Sequence, residues 1–358
     1  MSTPTNTMIM GASYGSLLAI KLLMAGHNVH LVCLQAEADL FNAEGAKVRM
    51  PVKGREGLVE VDSRKLPGKL TASGPTNVDP AKYDLVALAM QEPQYRSDGV
   101  RQLLDRVALA KVPCMSIMNM PPLPYLARIP GLDVAGLKPC FADATVWQNF
   151  DPAFMTLCSP DPQAFRPPEE KTNVLQVRLP TNFKAARFQS DVHTALLQRL
   201  ETDIGAARFD AGDGQMVELP VKLKVHQSVF VPLAKWAMLL AGNYRCVQPD
   251  GMIPIKDAVH GNLAETRAVY EWVANLCVSL GASPDDMVPF EKYANAAQSL
   301  GSPSSAARAL AAGAQNIERV DLLVQTIAAQ KGTRLDAVDT IVGKVEGWLA
   351  KNRAAKPA

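Results

Sequence analysis

Strand and helix alternate over the first two hundred residues, and helical periodicity alone follows. This order predicts an α/β fold in which a doubly wound, Rossmann-type sheet precedes an all-helical C-terminal domain. With 358 residues, 48% of them hydrophobic, the chain can bury two cores. The change of character after the turn from Asp210 to Gly214 puts the boundary there, giving residues 1–214 and residues 215–358.

Met8-Ile9-Met10 reads as a short strand, Gly11 to Gly15 as a small-residue turn, Ser16 to Ala25 as a helix stopped by Gly26, and Asn28 to Cys33 as a second strand. That is a βαβ unit. Asp84 to Met90 reads as a fully buried strand, Val100 to Leu109 as a helix and Pro113 to Met118 as the next strand. Loose alternation between Val48 and Val61 around Gly54 and Gly57 suggests an inserted hairpin. Strands at Met155 to Cys158 and Val174 to Leu179 and a helix from Ser190 to Glu201 complete the first domain. Beyond residue 214, helices are expected over Val221 to Leu240, Leu263 to Leu280, Phe290 to Leu300, Ser304 to Lys331 and Leu335 to Lys351, with no competing strand pattern.

Net charge is +2 with no run of five like charges, which argues against nucleic acid and a polybasic membrane anchor, and for a small-molecule partner. The six cysteines form no CxxC pair and lie at no zinc-ligand spacing from a histidine, so reduced, mostly buried thiols and no metal site are expected. The apolar stretch from Met8 to Gly26 is interrupted by Gly11, Gly15 and Lys21, and Val229 to Leu240 contains Pro232 and Lys235. A soluble, cytoplasmic protein is the expectation.

A dinucleotide site needs a sharp strand-to-helix turn with no side chain between the pyrophosphate and the helix N-terminus. Gly11, Ala12, Ser13, Tyr14, Gly15 and Ser16 are the candidates for it. Counting back from Gly15 as the third glycine of GxGxxG puts Ala12 second and Met10 first; counting from Gly11 puts serines at the second and third positions. At the end of the second strand Cys33-Leu34-Gln35 offers neither an acid for a ribose hydroxyl nor an arginine for a 2′-phosphate, so these residues do not choose between NAD and NADP.

The chain resembles the ketopantoate reductase family over nearly its whole length. The likeness is clearest in residues 8–33, 41–49 and 84–94 and in Ser116 to Met120, and fainter in Val231 to Leu233 and the expected helix from Ser304 to Asp321. The resemblance implies a Rossmann domain with a helical C-terminal domain, reduction of a 2-keto acid and NADPH as the favoured cofactor; the helical second domain with its alanine-rich late helix leads us to expect a homodimer. The resemblance carries a cofactor- and substrate-contacting asparagine onto Asn119, although Met120 replaces the glycine that usually follows. Gln94 matches a nucleotide-side glutamine; Gln91 stands where a lysine, and Leu34 where an arginine, is usual.

A ketone that accepts hydride needs a proton donor at its oxygen. In the family this is a lysine one turn before an asparagine on the first helix of the second domain. Counted without a gap from Val231, Leu223 and Gln227 fall at those places; with a one-residue gap, Lys224 and Ser228 become the pair. Lys224 is the catalytic candidate, and its bland reading is a solvated helix lysine. The family's substrate-binding serine and glutamate point to Ser304, Ser305 and Glu318. Ser304 reads equally as a helix cap, and Glu318 as a partner of Arg319 or Lys331.

His226 is a weaker proton donor candidate, and Trp147 a weak pocket-lining one. Two other readings stay open. One is an opine-dehydrogenase-like or imine-reducing enzyme, and the other is a non-catalytic relative that binds a nucleotide or metabolite.

Overall fold

The first strand, β1 (Asn6–Met10), buries its last four residues in succession, which marks a strand covered on both faces. It lies in the middle of an eight-stranded sheet in the computed structural model, which describes residues 3–355. In chain order there follow α1 (Ala12–Met24), β2 (Asn28–Val32), α2 (Gln35–Glu44), β3 (Lys47–Pro51), β4 (Leu58–Asp62), β5 (Leu70–Ser73) and β6 (Leu85–Leu88). Then come α3 (Val100–Ala110), β7 (Cys114–Ile117), α4 (Leu123–Leu126), β8 (Met155–Ser159), β9 (Gln163–Phe165), β10 (Val174–Leu179), β11 (Phe183–Ala186), α5 (Asp191–Ala206), β12 (Phe209–Asp210), β13 (Met216–Val217) and β14 (Leu223–His226).

The large sheet runs β14-β11-β8-β7-β6-β1-β2-β5. From β5 to β8 all neighbours are parallel; β11 is antiparallel to β8 and parallel to β14. The strand order reverses between β1 and β6. This is the doubly wound sheet the sequence predicts. The expected hairpin is β3–β4, paired antiparallel, and it joins a second sheet of order β4-β3-β10-β9.

Between the two sheets lies α1, touching β1 and β2 on one side and β3, β9 and β10 on the other. Every residue of α1 but Ser13 and Tyr14 is consequently buried, including Lys21. Its ammonium donates to the carbonyls of Leu219 (3.2 Å) and Pro220 (3.0 Å). Burial pushes its pKa down to about 8. The lysine thereby pins the segment entering β14, where Val221 takes a left-handed φ of 64°.

The chain folds into two compact units. One holds residues up to Met90, Gln94–Tyr125 and Val146–Gln227; the other holds Gln91–Pro93, Leu126–Thr145 and the chain from Ser228. Where the sequence suggests a single break at 214/215, the chain crosses several times, and the last crossing follows β14 because that strand hydrogen-bonds to β11. The expectation that no strand follows residue 214 is corrected by β13, β14 and a small hairpin of β15 (Val247–Gln248) and β16 (Gly251–Met252).

The second unit is otherwise helical: α6 (Lys235–Met238), α7 (Ile255–His260), α8 (Leu263–Ser279), α9 (Phe290–Ala297), α10 (Ser305–Ala311), α11 (Val320–Gln330) and α12 (Asp336–Ala354). The helix expected from Ser304 to Lys331 is interrupted, since Gly313 at φ 88° ends α10 and the chain restarts as α11. After α6, residues Leu239–Asn243 form a π-helical turn. Hydroxyl groups take carbonyls next to it: Tyr293 donates to Met238 (3.1 Å) and Ser304 to Asn243 (2.7 Å). No helix among the described residues is long and apolar enough to cross a membrane.

Candidate functional site

β1 hands over to α1 at one residue, Gly11, whose φ of 107° is closed to ordinary side chains. A Cβ there would also lie 2.7 Å from the Ala89 carbonyl oxygen and 2.5 Å from the Met90 side chain. Gly11 donates its own amide to Val32 at the end of β2 (2.9 Å), so the turn sits where β1, β2 and β6 all end. At Gly15 a Cβ would stand 2.6 Å from Ile9 Cγ2, so this glycine lets α1 press onto β1. Gly15 therefore plays the part of the third glycine, and Ala12 falls in second place.

The first turn of α1 has no side-chain cap. Its amide groups are left with the partial positive charge of a helix start, at the point of strand-order reversal. Ala12 is buried and Ser13 exposed there. The side chains of Tyr14 and Ser16 are used within the unit: Tyr14 donates to the Pro162 carbonyl (2.7 Å) and meets Phe183 edge-on, and the Ser16 hydroxyl donates to the Ala12 carbonyl. The sequence candidates thus divide into turn-forming Gly11, backbone-presenting Ala12 and Ser13, packing Gly15, and inward-turned Tyr14 and Ser16.

Beyond β6 the Met90 amide donates to the buried Tyr95 hydroxyl (3.1 Å), which fixes the loop into α3. Gln94 is exposed in that loop, while the likewise exposed Gln91 belongs to the segment grouped with the second unit. Asn119 is half-buried just past β7, the strand beside β6, on the edge of the sheet that carries the glycine turn. Trp147 is 2% exposed and lies between Tyr95 and Phe150 in tilted ring contacts, so it is core rather than pocket wall.

The structure corrects the lysine reading. Residues 223–226 are not helical: they form β14, an outer strand of the large sheet, so Lys224 and Ser228 share no helix face. Lys224 lies against Glu201 of α5 (3.1 Å), whose other carboxylate oxygen accepts from the Val225 amide. Strand spacing sets Lys224 about 14 Å, three strands, from the strand that carries Asn119. Leu223 is fully buried in the core of the first unit, and Gln227 is exposed. The signal for this strand is in the sequence: residues 221–226, VKLKVH, alternate apolar and polar with a period of two.

Ser228 opens the second unit, and its hydroxyl donates to Asp286 (2.7 Å). Ser304 is the N-cap of α10, accepting from the Ala307 amide (3.1 Å), and Ser305 is the exposed first residue of that helix. Glu318 is buried and accepts from the Glu92 amide (3.4 Å). Its neighbour Arg319 turns elsewhere, forked onto the buried Asp321 at 3.0 and 3.1 Å and reaching Glu346 at 2.7 Å. Tyr244 holds this stretch, accepting from the Val320 amide and donating to the Glu318 carbonyl.

A cavity of about 560 Å³, which sequence reasoning does not anticipate, lies among Trp272 of α8, Thr326 of α11, Arg334 and Asp339. It includes none of the expected substrate residues. No group of three or more metal-ligating side chains is present among the described residues.

No family model matches this sequence, and no curated protein matches it. Solved structures do match along its whole length. The 2-dehydropantoate 2-reductase (ketopantoate reductase) of Methylococcus capsulatus is similar with a TM-score of 0.66 and 12% identity, over 98% of each chain. A D-mandelate dehydrogenase, solved with NADH and anilino(oxo)acetate, gives 0.62 and 12%, over 98% of this chain and 100% of that one. The dimeric ketopantoate reductase of Staphylococcus aureus gives 0.59 and 10%, over 97% and 99%. The chain has the ketopantoate reductase fold from end to end.

Proposed function

We propose that this chain is a nicotinamide-dependent oxidoreductase that acts on the carbonyl of a small 2-keto acid or related substrate. The carrying observation is the turn at Gly11 to Gly15: two glycines excluded from bearing a side chain by β1 and β6, set before an uncapped helix at the point of strand-order reversal. Bound there, a nicotinamide dinucleotide supplies a hydride to an electrophilic carbon. In this reading the amides of Ala12 and Ser13 hold the pyrophosphate, and Gln94 and Asn119 face the nicotinamide half. Glu318 handles the proton and Ser305 meets the substrate. Ser304 serves as a cap, and Lys224 is left out because Glu201 and an outer strand hold it. The same reading takes the protein to be a cytoplasmic homodimer, as the Staphylococcus aureus neighbour is dimeric.

A second reading, reduction of a C=N bond, is favoured by the position of Lys224. An iminium ion that gains a hydride becomes a neutral amine and needs no proton at that step, whereas a ketone does. Titration with NADH and NADPH, followed by nucleotide fluorescence, tests the shared premise; failure of both to bind at high micromolar concentration overturns it. Cofactor oxidation with 2-keto acids alone, and then with added amines, separates the two chemistries.

A further inference from the structure

The end of β2 is where a sheet of this kind reads the adenosine ribose, with an acid for the 2′-hydroxyl or an arginine for a 2′-phosphate. Residues 33–35 hold neither, and Leu34 is 74% exposed. One turn further on, Glu37 stands in the first turn of α2. An arginine reaches it from a distant part of the chain: Arg166, the residue after β9, places Nη1 on Glu37 Oε1. Both side chains are three-quarters buried or more. Nη2 of Arg166 is enclosed and donates to nothing among the described residues, so the guanidinium is turned inward. Tyr14 ties the segment before β9 to the glycine turn through Pro162, which fixes this arginine relative to the nucleotide turn.

We infer that Glu37, oriented by Arg166, is the acid that reads the ribose, and that the chain binds NAD in preference to NADP; the inference rests on the nucleotide reading above. The carboxylate has one oxygen occupied by Arg166 and a second that accepts nothing from the described residues. A ribose hydroxyl can donate to that oxygen. A 2′-phosphate would instead set about two negative charges against it, while Arg166, the cation on this carboxylate, is already paired with it. Nearness of the pair to the strand end is independently visible at Cys33, whose thiol pKa is pushed up to about 12 by burial first and by Glu37 next, with Arg166 opposing.

Fluorescence titration of the full chain with NADH and NADPH tests this. The wild type is expected to bind NADH at least about tenfold tighter, since a like-charge juxtaposition costs more than one factor of ten. Glu37→Gln should weaken NADH and strengthen NADPH until the two differ by less than about threefold, tenfold being the size of one such charge term. Tighter NADPH binding by the wild type, or an unchanged ratio in Glu37→Gln, overturns the inference. Binding of neither nucleotide by the wild type overturns the nucleotide reading itself, a separate outcome.

Discussion

The turn from Met10 to Ser16 and the stretch from Val221 to Asn243 are the two places where the ketopantoate reductase resemblance makes its strongest demands, and the chain meets them differently. The first keeps its geometry while departing in sequence. Gly11 and Gly15 have no room for a Cβ, so spacing survives where the motif does not. The second keeps a fragment of sequence, Val231 to Leu233, but not the geometry. Where the sequence suggests one helix around Lys224 there are a strand, a 3-10 turn, a short α-helix that opens with a different lysine, Lys235, and a π-helical turn. Backbone freedom at two glycines fixes the first region, pressed against nearby Ile9 and against Ala89 and Met90 just past β6. Partners 40 to almost 200 positions away in sequence fix the second: Phe183 to Ala186 in the sheet, Lys21 beneath Pro220, and Ser304 and Tyr293 at the π-helical turn.

The largest expected effect tests the first region. Gly11→Ala combines a left-handed dihedral with a backbone clash at Ala89. It should cost about 3 kcal/mol of unfolding free energy and abolish nucleotide binding. Gly26→Ala is the control, because Gly26 also has positive φ (83°) but open space around its Cβ position. It should cost about 1 kcal/mol and leave binding alone. Equal losses in denaturant melts of the two variants would show that packing against β6 contributes nothing at the turn.

A smaller effect tests the second region. Ser304→Ala removes a helix cap and leaves the Asn243 carbonyl without its hydroxyl partner, for a loss of about 2 kcal/mol. Nucleotide affinity and KM should stay within a factor of two. A raised KM with an unchanged Tm would return Ser304 to the substrate site and make this region functional rather than architectural.

Legibility in the sequence follows the same division. The strands from β1 to β10 that the alternation marks, the hairpin β3–β4 and helices α1, α3 and α5 answer to local patterns, although Ser190, read as the first residue of α5, is its cap. α2, β5 and β11 carry no strong periodic signal, and a helical reading of residues 221–240 hides β14 although VKLKVH alternates plainly. Val221 at positive φ is a conformation that no β-branched residue advertises. At the candidate site the glycine turn is readable because it follows a strand end, whereas Gln94 and Asn119 rest on the family resemblance. Glu37 and Arg166 are not readable, since they are 129 residues apart and only the second sheet brings them together.

Lys224 gives the smallest expected effect and decides the most. Its side chain is 45% exposed and its partner Glu201 also receives the Val225 amide, so the carboxylate keeps a donor when the lysine is removed. Exposed pairs of this kind contribute at most about 1 kcal/mol, and Lys224→Ala should lower stability by about 0.5 kcal/mol with kcat within twofold of wild type. A general acid lost from a ketone reductase instead lowers kcat by about a hundredfold or more. Measured on whichever substrate the cofactor-oxidation assay identifies, a hundredfold loss would mean that β14 leaves the sheet edge during turnover. The two regions would then be equally functional. An unchanged kcat leaves proton transfer to another group or to C=N chemistry that needs none, and makes the turn at Gly11, of the two regions, the one that carries the chemistry.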